Sequence, residues 1–146
     1  MKHKGSIIID QPLEKVVALF LNSENLKKWQ EGLVKKELIS GTENKMGAVS
    51  LLYYKTEKYE MELTERIIEN NLPESLEAIY QHKHMDNTMK YSFKSIGKNQ
   101  TQYSTEVVYT RIDWVMPRLM SILFPRMYTK PGERWMRNFK IFVEQN

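Results

Sequence analysis

Two of the three histidines in this 146-residue chain, His82 and His84, stand one residue apart in the stretch YQHKHMDNTMKYSF, residues 80–93. Imidazole titrates near neutrality, so such a pair is suited to acid–base work. On a strand, a His-x-His pair also turns both rings to one side, as some metal sites require. A stable zinc site needs a third and usually a fourth ligand, however. The remaining histidine, His3, lies near the first strand, and there is no cysteine. The expectation is no metal, no cofactor, no thiolate nucleophile and no disulfide framework. His82 and His84 stay as acid–base or hydrogen-bonding candidates.

A third candidate, Glu65, emerges from strand periodicity. Along residues 58–66, Lys58, Glu60, Glu62, Thr64 and Arg66 alternate with Tyr59, Met61 and Leu63. The odd positions therefore face inward, and Glu65 goes with them. A buried carboxylate needs a partner or a proton. Three outcomes are open: an ion pair with an arginine of the final helix, a bulge that turns Glu65 outward, or a catalytic or ligand-anchoring role. For the histidines, a two-residue turn at Asp86-Asn87 would pair Lys83 with Lys90 and His82 with Tyr91. Two lysines directly opposite one another belong on the solvated face. That turns Tyr80, His82, His84, Met89, Tyr91 and Phe93 inward.

The elements that must position these groups follow from pattern. GSIIID reads as a short strand. Pro12 suits the first turn of a helix capped by Asp10 or Gln11, with Val16, Val17, Leu19 and Phe20 on its apolar side. A shorter helix follows, with Ser23 as cap and Leu26 and Trp29 facing in. From Gly32 to Ile112 the period becomes two, with six strands at about 33–40, 47–56, 58–69, 75–85, 88–96 and 101–112. Their short connections predict an antiparallel meander. Residues 113–130 are apolar and interrupted by Pro117 and Pro125, with a short helix expected at 115–124. From Pro131 a final helix carries Trp135, Met136, Phe139, Phe142 and Val143 on one stripe.

This order of elements, together with particular residues, resembles the SRPBCC (START-like) superfamily. IIIDQPLEKVVALFLNSENLKKW resembles its opening strand and proline-led helix, RIIENNLPESLEAIY its strand–turn–strand segment, and NFKIFVEQN its closing helix. The nearest resemblance is to the polyketide cyclase/dehydrase and lipid-transport group. It implies an α+β helix-grip fold: a curved seven-stranded antiparallel sheet wrapped around a long C-terminal helix, with two short helices after the first strand. It also implies an apolar cavity between sheet and helix. It does not imply one activity, because the superfamily includes carriers, cyclases and protein-binding modules.

Within such a cavity the inward set predicts ligand contacts from Tyr59, Met61, Tyr80, His82, His84 and Met89. Tyr91, Phe93, Thr105, Tyr109, Met120 and Phe139 complete the expected lining. Tyr53, Tyr59, Tyr80, Tyr91, Tyr103 and Tyr109 would together bring many hydroxyls to one concave surface, each needing a partner where buried. Residues 113–130 are expected to form a lid over the mouth, or alternatively to lie on a membrane surface.

Composition narrows the classes further. The chain is 41% hydrophobic and 27% charged, the balance of a soluble globular domain, and one domain over residues 1–146 is expected. The N-terminal apolar run, Ile7–Ile9, is too short for a signal peptide, and no run of about 18 apolar residues occurs. A cytoplasmic protein without stable membrane insertion is therefore expected. The net charge of +4 comes from residues 111–146, which hold seven of the 22 basic and three of the 18 acidic side chains. No nucleic-acid motif accompanies that charge, so it reads as a solvated helix face and nucleic acid is not expected. The leading reading is a binder or carrier of a small hydrophobic or amphipathic ligand. A cyclase/dehydratase-type enzyme using His82, His84 or Glu65, and a protein-interaction module, are the alternatives. Ligand identity, pathway and oligomeric state have no signature in the sequence.

Overall fold

The computed structural model describes residues 2–57, 60–113 and 133–146. Seven strands form one antiparallel sheet: β1 Lys2–Ile9, β2 Leu33–Ser40, β3 Val49–Lys55, β4 Glu60–Asn71, β5 Ser75–His82, β6 Met85–Gly97 and β7 Gln100–Ile112. Their order across the sheet is β1-β7-β6-β5-β4-β3-β2, so six strands run as a meander and β1 returns beside the last of them. Helix α1 spans Leu13–Leu21 and α2 spans Leu26–Trp29, with a 3-10 turn between them; the closing helix, α3, spans Glu133–Glu144. The sheet curves around α3, the helix-grip arrangement. Tyr59, Met120, the expected helix at 115–124 and nearly all of the expected lid lie outside the described residues.

Local chemistry differs from expectation at the helix starts. Pro12 itself is the N-cap of α1, and no side chain caps it. At the next turn, Asn22 rather than Ser23 accepts a hydrogen bond, from the Glu24 amide. The short 3-10 turn takes Asn22 because its side chain can fold back over a single residue.

The core forms where the apolar stripe of α3 meets the concave face. Met136, Phe139, Phe142 and Val143 are buried, and Phe139 has no exposure. Around Phe139 lie Trp29, Phe20 and Tyr103 at ring separations of 5.0–5.8 Å. Phe93 stacks on Tyr103 at 5.1 Å. β1 can lie this close to α3 because residue 5 is glycine: a Cβ there would stand 3.0 Å from the Met136 sulfur. Polar ties complete the seat. Lys140 donates to the Ile8 carbonyl at 2.6 Å, and Glu144 accepts from the Asp10 amide at 2.8 Å.

Two registers decide which side chains reach the interior. In the β5–β6 hairpin, His82 pairs with Met85, so the turn is Lys83-His84 and not Asp86-Asn87. The expected pairing of His82 with Tyr91 is replaced by Leu76 with Tyr91. Asp86-Asn87 instead marks a bulge between β6 and β7. The turn centre moves by three residues, which leaves partner parity intact, so the inward faces of both strands are as expected. The anticipated lysine pair does not form. Lys90 sits between Glu77 and Glu106 on the wet face.

The second register concerns β2. A bulge lies between Leu33 and Lys35, where Leu33 pairs with Tyr54 but Lys36 pairs with Leu52. Tyr54 and Leu52 are both inward and buried. The extra residue therefore turns Lys36 to the same face as Leu33, which a period of two forbids. On β3 it is Tyr54, not the expected Tyr53, that points in; Tyr53 donates to Glu60 on the outer face.

Candidate functional site

Between α3, the short helices and the far half of the sheet lies a cavity of about 150 Å³. Phe20, Leu26 and Trp29 come to it from the helical segment, and Trp135 from α3. Leu52, Tyr54, Met61, Leu63, Ile67 and Leu76 cover the sheet side. Trp135 is set by stacking on Tyr54, whose hydroxyl donates to Gln30 at 2.8 Å. The wall is mostly hydrocarbon and aromatic carbon, as expected of a small-molecule site.

A chain of four polar side chains crosses this wall. The Lys36 ammonium lies 3.0 Å from Glu65 Oε1, with the two side chains only 14% and 9% exposed. The Tyr80 hydroxyl donates to Glu65 Oε2 at 2.7 Å, and the Tyr80 and Tyr91 hydroxyls are 2.8 Å apart. Each member is positioned by strand pairing: Glu65 is opposite Tyr80 across β4–β5. Burial, then the Glu65 charge, pushes the Tyr80 phenol well above its ordinary range. Burial does the same to Tyr91. Both phenols are therefore protonated donors at any ordinary pH. Asn87 also lines the cavity, is 8% exposed, and makes no side-chain hydrogen bond among the described residues.

The expected ligand set divides on inspection. Met61, Tyr80, Met89, Tyr91 and Tyr109 line the cavity. Phe93 and Phe139 are core residues, and Thr105 is buried with its hydroxyl donating to the Met136 sulfur at 3.5 Å. Glu65 is inward, but its partner is Lys36 from an edge strand, not an arginine of α3.

His82 and His84 are placed elsewhere, at the closed end of the β5–β6 hairpin and outside the cavity wall. His82 Nδ1 accepts from the His84 amide at 3.2 Å, which leaves the proton of the neutral ring on Nε2. His84 Nδ1 lies 3.2 Å from Asp113 Oδ2. Arg111 locks the turn: its guanidinium reaches the His82 carbonyl at 2.8 Å, Asp86 at 3.1 Å and Asp113 at 2.7 Å. Burial, then the neighbouring His84, lowers the His82 pKa, and hydrogen bonds from His84 and Arg111 lower that of Asp113. The pair is part of a hairpin clamp. Among the described residues no group of three His, Asp or Glu side chains could hold a metal.

Lys36 and Asn87 were missed as site residues. A lysine in LVKKELIS reads as solvated edge charge, and only the bulge turns it inward. Asn87 sits in a dipeptide typical of turns. The one available signal for Lys36 was the inward Glu65, which had to find a cation.

No family model matches the chain, and no curated protein does. Solved structures do match over nearly its whole length. The ZhuI aromatase/cyclase from Streptomyces sp. R1128 aligns with a TM-score of 0.80 at 8% identity, covering 99% of this chain and 94% of that one. A START superfamily protein from Mycobacterium smegmatis aligns with a TM-score of 0.77 at 10% identity, covering 99% and 97%. Ara h 8.0201 aligns with a TM-score of 0.78 at 10% identity, covering 100% and 99%. At these identities the likeness is one of fold.

Proposed function

For a chain with the helix-grip fold of the START-like superfamily, we propose binding, and transport, of a small hydrophobic or amphipathic molecule in the cavity between the sheet and α3. The carrying observation is the cavity itself: about 150 Å³, walled mainly by Trp, Tyr, Met and Leu, with one built polar strip. An apolar space of that size holds a ring-sized guest and gains free energy from every apolar surface it covers. The alignments run over 94–99% of the three structures named above, which supports the chain acting as one ligand-binding domain. The function requires no metal, cofactor or nucleic acid. No helix among the described residues is long and apolar enough to cross a membrane.

The aromatase/cyclase likeness favours a second reading, cyclisation or dehydration of a polyketide-like substrate. Of the three acid–base candidates, only Glu65 reaches the cavity. Its two oxygens are already engaged by Lys36 and Tyr80. A carboxylate held at both oxygens is not free to turn toward a substrate, which favours binding over turnover.

Native mass spectrometry of protein purified from its own cells should show a retained apolar molecule, recovered chemically unchanged. An apolar fluorescent dye should bind at one site per chain. Met89→Trp, on the cavity wall, should abolish dye binding, and Lys83→Glu, on the exposed turn, should leave it unchanged. Equal effects of the two substitutions would sink this reading, and recovery of a converted product would favour the enzyme.

A further inference from the structure

The four-residue polar chain has a direction, and the direction selects ligands. A carboxylate only accepts hydrogen bonds, so the single Tyr80 proton is committed to Glu65. In the 2.8 Å contact between the two phenols, Tyr80 must then accept and Tyr91 must donate. The order is Tyr91 to Tyr80 to Glu65, with Lys36 behind. The proton of Tyr91 is spent on this chain, while its oxygen keeps acceptor capacity. No other described side chain uses that capacity, Tyr91 is 6% exposed, and it lines the cavity. A buried acceptor without a donor is a standing demand for one.

Charge sharpens the selection. The Glu65 carboxylate is inside the wall, and the ammonium beside it among the described residues, that of Lys36, is already paired with it. A ligand carboxylate entering here would meet an acceptor at Tyr91, a negative charge two hydrogen bonds away and, among the described residues, no free cation in the wall strip, while losing its own hydration. A ligand hydroxyl meets what it needs.

We infer that Tyr91 forms the recognition point of a subsite for a neutral hydroxyl group, so that the cavity takes phenol- or alcohol-bearing apolar molecules and rejects apolar carboxylates. This deepens the proposed binding function and rests on it. Lys36 and Glu65 act as positioning residues: they hold Tyr80, and through it Tyr91, in the accepting orientation. Asn87, four residues along the same face of β6 and without a side-chain hydrogen bond among the described residues, gives the cavity a second polar group that can donate or accept.

The test uses three ring-sized probes of one shape on the full chain: 2-methylnaphthalene, 2-naphthol and 2-naphthoate, by calorimetric titration at neutral pH. The naphthol should bind roughly tenfold tighter than the hydrocarbon, the worth of one buried neutral hydrogen bond. The naphthoate should bind more weakly than the hydrocarbon. In Tyr91→Phe the naphthol preference should fall to within about twofold, with hydrocarbon affinity kept. Tyr80→Phe tests the direction, because it frees the Tyr91 proton: 2-acetonaphthone, which can only accept, should gain on 2-naphthol relative to the unchanged protein. If none of the probes binds the unchanged protein, the binding function itself fails. If the hydrocarbon binds but the naphthol does no better, or the naphthoate binds tightest, the cavity stands and the hydroxyl subsite is overturned. An unchanged ketone-to-naphthol ratio in folded Tyr80→Phe would also overturn it.

Discussion

Removing the ammonium of Lys36 is the sharpest probe of the cavity wall. Lys36→Met keeps most of the side-chain volume and leaves Glu65 behind, 9% exposed and held, among the described residues, by Tyr80 alone. At 3.0 Å the pair attraction is about 5 kcal/mol for an effective dielectric of about 20. Part of that is offset by the cost of keeping the lysine itself out of water. Breaking a buried pair from one side typically costs about 3–5 kcal/mol. The surviving Tyr80 hydrogen bond and the residual exposure of both side chains place this case at the low end, about 3 kcal/mol. A urea titration should register that loss directly. The melting temperature should fall by about 6–12 °C, at the ~2–4 °C per kcal/mol expected for a chain of this length. Lys36→Met combined with Glu65→Leu removes both charges, and stability should return to within about 1 kcal/mol of the starting protein. The reasoning is refuted if the single change costs less than about 1 kcal/mol, which would make the pair effectively solvated. It is equally refuted if the double variant is no more stable than the single one.

Three further outcomes follow from the same structure. Phe139→Ala should cost about 3–5 kcal/mol in a denaturant titration, because Phe139 has no exposure and sits among the rings of Phe20, Trp29 and Tyr103; a loss under about 1 kcal/mol would mean α3 is not docked. Arg111→Met should speed amide exchange at residues 82–86, since one guanidinium bonds the His82 carbonyl and Asp86 of that hairpin and ties them to Asp113 at the end of β7. His82 contributes to acid sensitivity with a definite sign. Its folded pKa lies below the ordinary value of 6.5, so the unfolded chain takes up the proton first. Its contribution is present above pH 6.5 and is lost as pH falls from there towards the folded value. The stability difference between pH 7.5 and pH 5.5 should therefore be smaller in His82→Asn than in the unchanged protein, and a larger difference would contradict the placement of this ring.

Strand and helix periodicity was enough to read the order of elements from the sequence, and the resemblance to the START-like superfamily implied that they form a helix grip. The period of two from Gly32 to Ile112, and the stripe Trp135, Met136, Phe139, Phe142 and Val143, are local patterns that one buried face imposes on its own segment. Glu65 was legible too, as an acid on an inward parity. Its partner was not. Lys36 faces the cavity only because a bulge between Leu33 and Lys35 shifts the parity of an edge strand, and a bulge is a property of two paired strands. The hairpin turn was likewise decided beyond the local sequence: Asp86-Asn87 has the composition of a turn, yet Arg111 from β7 holds Asp86 and the His82 carbonyl, and the turn closes at Lys83-His84. His82 and His84 thereby leave the cavity, while Tyr80 and Tyr91 stay in it, because a three-residue shift of the turn preserves which face each strand presents. The sequence by itself determined the elements and, away from bulges such as the one in β2, most of their faces, since those depend on alternation along one segment. The tertiary structure alone decided which faces meet, since register is set by contacts between residues far apart in the chain.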